Sequence, residues 1–114
     1  MFKKGEIYLA RLNPRKGNEV GKLRPVLIYQ TNILNDISHP TTIVLPLSTK
    51  LIDEAYPLRF RVNRREALEE DSDILVDQLR AIDNKRIISQ RLATLSLKEI
   101  FELDIQVKIV LDID

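Results

Sequence analysis

The 114-residue chain predicts a mainly β fold finished by one C-terminal helix: a small, strongly bent antiparallel sheet or barrel. Two observations carry this. Short runs rich in β-branched and aliphatic residues recur between polar or charged connections. The clearest helical spacing, with its own start signal, comes at the end, after Ser96. A chain of this length has room for one real core, so residues 1–114 read as a single domain.

Residues 6–12, EIYLARL, alternate as a strand does. Asn13-Pro14 breaks the run, and Arg15 to Leu23 form a loop holding Gly17 and Gly21. PVLIYQ, residues 25–30, is near-continuously apolar and reads as a buried strand. Pro25 has no N–H and suits a strand start or an edge, and it pushes Arg24 into an extended conformation. Residues 32–40 are polar and turn-rich. TTIVLPLS, residues 41–48, is a third strand whose Pro46 marks an edge or a break in pairing. Residues 49–57 are a connection, LRFRV at 58–62 alternates strictly, and 64–73 is a charged loop. ILVDQLRAI, residues 74–82, reads as one fifth strand, 83–86 as a turn, and IISQRLATL, residues 87–95, as a further strand.

Ser96 and Glu99 form a capping box, with Leu95 and Ile100 at staple positions. The helix runs to about Leu111. Ile100, Leu103, Val107 and Val110 make one apolar stripe, and Phe101, Ile105 and Ile109 make a second. That is more apolar surface than one packing face needs. The excess suits a barrel end or a second subunit.

The composition, 44% hydrophobic and 31% charged, is that of a folded chain with a solvated surface. With no cysteine and one histidine, neither disulfides nor a structural zinc site is expected, and no cofactor is called for. No apolar run reaches membrane-spanning length. Met1-Phe2-Lys3-Lys4 leads into a strand pattern rather than a signal peptide, so a cytoplasmic location is expected. Net charge is only +1, but residues 1–24 hold seven Lys/Arg against two acids, whereas the remainder holds eleven against fifteen. A basic patch for a polyanion is expected near the N-terminal loop.

Several chemistries are absent. There is no GxxxxGK[ST], GxSxG or HExxH. His39 lies in a loop with no motif around it. Glu69-Glu70-Asp71-Ser72-Asp73 lacks EF-hand spacing and reads as a solvated loop. What survives is a polar set on strands and their ends: Glu19, Lys22, Arg24, Ser48, Thr49, Asp77, Gln78, Arg80 and Arg86. A purely structural account would pair Asp77 with Arg80, or Asp83 with Arg86. Arg24, an always-charged fork at a strand mouth, suits a phosphate.

Gly17, Glu19, Gly21 and then Arg24-Pro25-Val26-Leu27 resemble the signature of the MazF/PemK family of endoribonuclease toxins from bacterial toxin–antitoxin pairs. Gly5-Glu6-Ile7-Tyr8 and Asn13-Pro14 resemble the family's opening strand and turn. Pro46-Leu47-Ser48-Thr49 is similar to its strand-end motif, usually Pro-Leu-Thr-Ser. Asp77-Gln78-Leu79-Arg80-Ala81-Ile82-Asp83 with Arg86 is similar to its late motif. The resemblance implies an SH3-like barrel that forms a homodimer. It implies metal-independent, sequence-specific cleavage of single-stranded mRNA and an acidic, partly disordered antitoxin partner. It makes Arg24 and Ser48 the catalytic pair, with the Ser-Thr order swapped.

RNA carries its own nucleophile, the 2′-OH, so the protein need only align it, move protons and stabilise the phosphorane. Arg24 suits that stabilisation, and Ser48 or Thr49 can donate to a phosphate oxygen. Glu19 is a candidate base and Asp77 its alternative. Lys16, Asn18, Lys22, Asn32, Gln78, Arg80 and Arg86 are the candidate RNA contacts. Period-two alternation puts Ser48 on the face of Val44 and Pro46, and Thr49 with Leu45 and Leu47, whereas a bulge at Pro46 would exchange the two faces. Two other classes stay open: a non-enzymatic inhibitor like the gyrase-poisoning CcdB toxins, and a plain nucleic-acid-binding barrel.

Overall fold

The computed structural model of the chain describes residues 2–12 and 22–114. Its strands are β1 (Glu6–Arg11), β2 (Leu23–Ile28), β3 (Thr41–Ser48), β4 (Arg59–Val62), β5 (Ser72–Leu75), β6 (Arg80–Asp83) and β7 (Ile87–Thr94). Helix α1 spans Asn32–Asp36 and α2 spans Leu97–Val110. The pairings are antiparallel, in the order β4-β5-β3-β2-β1-β7, with β6 also on β3. A 3₁₀ turn at Asn84–Arg86 joins β6 to β7, so the sheet curls strongly, but among the described residues its edge strands do not pair and the barrel is not closed.

Both faces of the central strands are buried, which is why PVLI and TIVLPL read as continuous apolar runs. Ile7, Leu27, Leu45, Leu47 and Ile74 face a cluster completed by Phe60, Val62, Leu103 and Val107, from β4 and α2. Tyr8, Ala10, Val26, Ile28 and Val44 face the inside of the curl with Leu12, Ile82 and Ile87. Each fully buried leucine contributes about 1.5–3 kcal/mol.

Helix α2 docks by the first of its two apolar stripes. Leu103 and Val107 are buried and Ile100 and Val110 pack against the same cluster, whereas Phe101, Ile105 and Ile109 are exposed. The capping box at Ser96 and Glu99 is formed. Two polar attachments complete the docking. Gln106, buried, donates to the carbonyls of Pro57 and Arg59 at 3.0 and 2.9 Å. The Tyr29 hydroxyl donates to Asp104, which also pairs with Lys4 at 3.2 Å.

Three expectations change. The polar 32–40 segment contains α1, because Thr31 caps it and Asn35 is buried, donating to the Gln30 carbonyl at 3.0 Å. The run 74–82 is not one strand. On β3, four steps from Val44 to Ser48 are matched by seven from Asp73 to Arg80. The extra three residues form a 3₁₀ turn, Val76–Gln78, between β5 and β6 on one edge of β3. Ser72 and Asp73 belong to β5 rather than to a loop, and Asp73 is fully buried.

The prolines explain how the ladders stop. β2 begins at Leu23, so Pro25 is inside it, paired with Leu9 of β1. On its other side the pairing with β3 begins only at Val26–Pro46. Pro46 in turn falls between the β6 and β5 pairings of β3. Neither proline has an N–H to donate, and each sits where a ladder lapses.

Candidate active site

The register that pairs Val26 with Pro46, Leu27 with Leu45 and Ile28 with Val44 sets Arg24 across from Ser48 when continued by two residues. The ladder itself ends at Val26–Pro46, so the two side chains flank the mouth of β2 and β3 rather than a zipped sheet. Both belong to the face of Val26, Ile28 and Val44. Arg24 is exposed and Ser48 partly so. The Ser48 hydroxyl oxygen accepts from the Lys50 N–H at 3.2 Å, which leaves its own hydrogen to be donated elsewhere.

Arg80 pairs with Val44 and so joins the same face. Its guanidinium donates to the Leu12 carbonyl at 3.2 Å, and Arg86 donates to the same oxygen at 3.2 Å. The end of β1 thus gathers two guanidinium groups on one acceptor. These contacts replace the Asp77–Arg80 and Asp83–Arg86 pairs that a structural account expected. Asp83 instead caps the following turn by accepting from the Lys85 N–H at 2.8 Å. Asp77 and Gln78 are exposed on the 3₁₀ turn beside β3.

Thr49 falls on the other face. With Leu9, Pro25, Leu68, Leu92, Glu69 and others it lines a groove of about 290 Å³ behind the Arg24–Ser48 row. Asn32 is separated from the cluster by the length of β2. It opens α1, and its Oδ1 accepts from the Lys4 N–H at 2.8 Å. Lys22 is exposed just before β2. Lys16, Asn18, Glu19 and the two loop glycines lie outside the described residues, as does Asn13-Pro14. Among the described residues no group of three or more His, Asp or Glu side chains could hold a metal.

Sequence reasoning missed the groups beneath Ser48. Asp73 is its partner across the β3–β5 ladder and is completely buried. Its carboxylate accepts from Arg61 Nε at 2.6 Å, Arg59 Nη1 at 3.2 Å and the Ile52 N–H at 2.9 Å. Burial pushes its pKa up, but the donors of Arg61, Ile52 and Arg59 outweigh that and hold it below the usual carboxylate range. A signal existed: in LRFRV the arginines alternate with Phe60 and Val62, so both occupy one face and call for a facing acid.

The architecture is a strongly curled antiparallel sheet backed by one C-terminal helix. It superposes on Mycobacterium tuberculosis toxin MazF-mt6 with a TM-score of 0.78 at 20% identity, covering 96% of this chain and 98% of that one. A mycobacterial endoribonuclease in complex with its cognate antitoxin gives 0.77 at 14% identity, covering 100% and 98%. In sequence the chain is 35% identical over 105 residues to the endoribonuclease MazF of Staphylococcus epidermidis, covering 91% of this chain and 86% of that protein. Residues 3–111 match the family of PemK-like, MazF-like toxins of type II toxin–antitoxin systems, and the chain belongs to that family.

Proposed function

We propose that this chain, an endoribonuclease of the MazF type, cleaves single-stranded mRNA at a short sequence motif without a metal ion and is neutralised by a cognate acidic antitoxin. The observation that carries the mechanism is the β2–β3 register, which, continued past Val26–Pro46, sets Arg24 across from Ser48. The substrate 2′-OH attacks the adjacent phosphorus, and its proton passes to a carboxylate, Glu19 or Asp77. The P–O5′ bond breaks, and the departing oxygen takes up a proton from solvent water. The products are a 2′,3′-cyclic phosphate and a 5′-hydroxyl.

Arg24 spreads two N–H groups over the non-bridging oxygens as charge accumulates there, a task for a fork rather than a point charge. Ser48, whose oxygen is already occupied by the Lys50 N–H, donates its hydrogen to the same phosphate. Arg80 and Arg86, gathered on the Leu12 carbonyl, add positive potential where the strand pair opens. Lys22 and Gln78 extend the RNA contact, with Lys16 and Asn18 of the segment before them in sequence. Asn32 serves a more distant nucleotide. The exposed stripe Phe101, Ile105 and Ile109 supports a homodimer, which light scattering of the purified protein measures.

Incubating the protein with a long RNA in excess EDTA tests the central point. Cleavage should proceed at the rate seen without chelator and leave 2′,3′-cyclic phosphate and 5′-hydroxyl ends. Loss of cleavage in EDTA that magnesium restores would overturn the mechanism.

A further inference from the structure

We propose that Asp73 is a positioning residue for Ser48: through Arg59 and the N–H of Ile52 it fixes the turn leaving β3, and so sets the aim of the Ser48 hydroxyl. This inference rests on the catalytic role proposed for Ser48.

The geometry forms a short closed path. Arg59 Nη1 donates both to Asp73 at 3.2 Å and to the Lys50 carbonyl at 2.9 Å. The N–H of the same Lys50 donates to the Ser48 hydroxyl oxygen at 3.2 Å. Two residues further on, the Ile52 N–H is tied to Asp73 directly at 2.9 Å. The 48–52 turn is therefore tied to one carboxylate directly at Ile52 and, through Arg59, at Lys50, whose N–H holds the Ser48 hydroxyl.

That carboxylate has no exposed surface, whereas Arg59 and Arg61 reach the solvent in part. A buried acid costs several kcal/mol unless its lone pairs are met, and three donors meet most of them. A simple strand-to-strand ion pair between Asp73 and Arg61, at 2.6 Å, would have satisfied the charge. Arg61 also reaches Asp53, at 2.9 Å, drawing the 49–58 connection onto the same face. The additional bonds to Arg59 and Ile52 do one further thing: they hold the backbone that carries the hydroxyl. Misplacing a reacting group by about 1 Å can cost on the order of 100-fold in rate.

The test is a double-mutant cycle on single-turnover RNA cleavage, with Ser48→Ala, Asp73→Asn and the double variant compared at equal folded fraction. Asp73→Asn should slow the cleavage step about 10- to 100-fold with little change in the RNA concentration needed for half-maximal rate. It should add almost nothing in the Ser48→Ala background. A wild-type rate for Asp73→Asn, or the same slowing in both backgrounds, would overturn the positioning role. If Ser48→Ala itself cuts normally, the role of Ser48 falls and this inference with it. If Ser48→Ala is crippled and Asp73→Asn is not, only the positioning role is lost. Should Asp73→Asn fail to fold, Arg59→Met decides. It cuts the link from Asp73 to the Lys50 carbonyl while leaving Asp73 paired with Arg61. It should slow the same step, with partial recovery in Arg59→Lys, and an unchanged rate in Arg59→Met would sink the idea.

Discussion

Arg65 grips the carboxylate of Glu99 with both terminal nitrogens, Nη1 to Oε1 at 2.5 Å and Nη2 to Oε2 at 2.8 Å. Glu99 is also the acidic member of the capping box, accepting from the Ser96 N–H at 2.9 Å. One carboxylate thus joins the β4–β5 connection to the first turn of α2.

Stability should therefore fall in acid by a traceable route. The Arg65 donors lower the Glu99 pKa, outweighing a partial burial that raises it. A depressed carboxylate stabilises the fold fully above its unfolded pKa, roughly 4.3, and loses that contribution as pH falls through the folded value. Glu99→Gln should lower the melting temperature by a few degrees near neutral pH, for a loss of about 1 kcal/mol. At pH 3, below the unfolded value, the gap between variant and parent should be smaller. Thermal melts at both pH values check this, and an equal gap at both would contradict it.

Gly5 sits at φ +95°, and a Cβ there would lie 2.5 Å from Ile100 Cδ1 on α2. Its N–H and carbonyl are both engaged, with Ile28 and Leu95, so the backbone cannot relax freely. Gly5→Ala should destabilise the fold by about 1–3 kcal/mol. A urea titration reads the shift, and an unchanged midpoint would show that Ile100 and the backbone yield without cost.

Arg24→Ala should leave the melting temperature nearly unchanged, because the side chain is exposed, yet reduce RNA cleavage by a factor of about 10³ or more. Arg24→Lys should also be severely impaired, since an ammonium cannot span two phosphate oxygens. Cleavage by either variant at near the parental rate would remove Arg24 from the mechanism.

Ser48→Ala should cost roughly 2–4 kcal/mol of barrier, about 10²–10³ in single-turnover rate. Thr49→Ala should be far milder, because Thr49 lines the groove on the opposite face with Pro25 and Leu9. The reverse ranking would mean that the strand end turns over and the threonine does the work.

The features legible in the sequence are those set by local energetics. The strand at EIYLARL, the Ser96–Glu99 capping box and the two stripes of α2 depend on neighbours within a turn or a strand, and the structure has them, although β1 is buried on both faces. The face separating Ser48 from Thr49 was legible for the same reason, since period-two geometry needs no partner strand. The family motifs brought the toxin class with them.

Only the tertiary structure decided which strand ends meet. Arg24 is aligned with Ser48 only by continuing a β2–β3 register that rests on burying Leu27 and Leu45 on one face and Val26 and Val44 on the other. A slip of one residue would exchange those faces, and no local pattern states that preference. The 3₁₀ turn inside 74–82 has the same origin: β-propensity favours one strand, but following the full edge of β3 requires three extra residues. Asp73 was hidden for a related reason. In an acidic run it reads as solvated, and what keeps it charged and buried are two arginines twelve and fourteen residues away and a backbone N–H from a third segment. Charge compensation in a core is a property of the assembled fold, not of the run of residues that carries the charge.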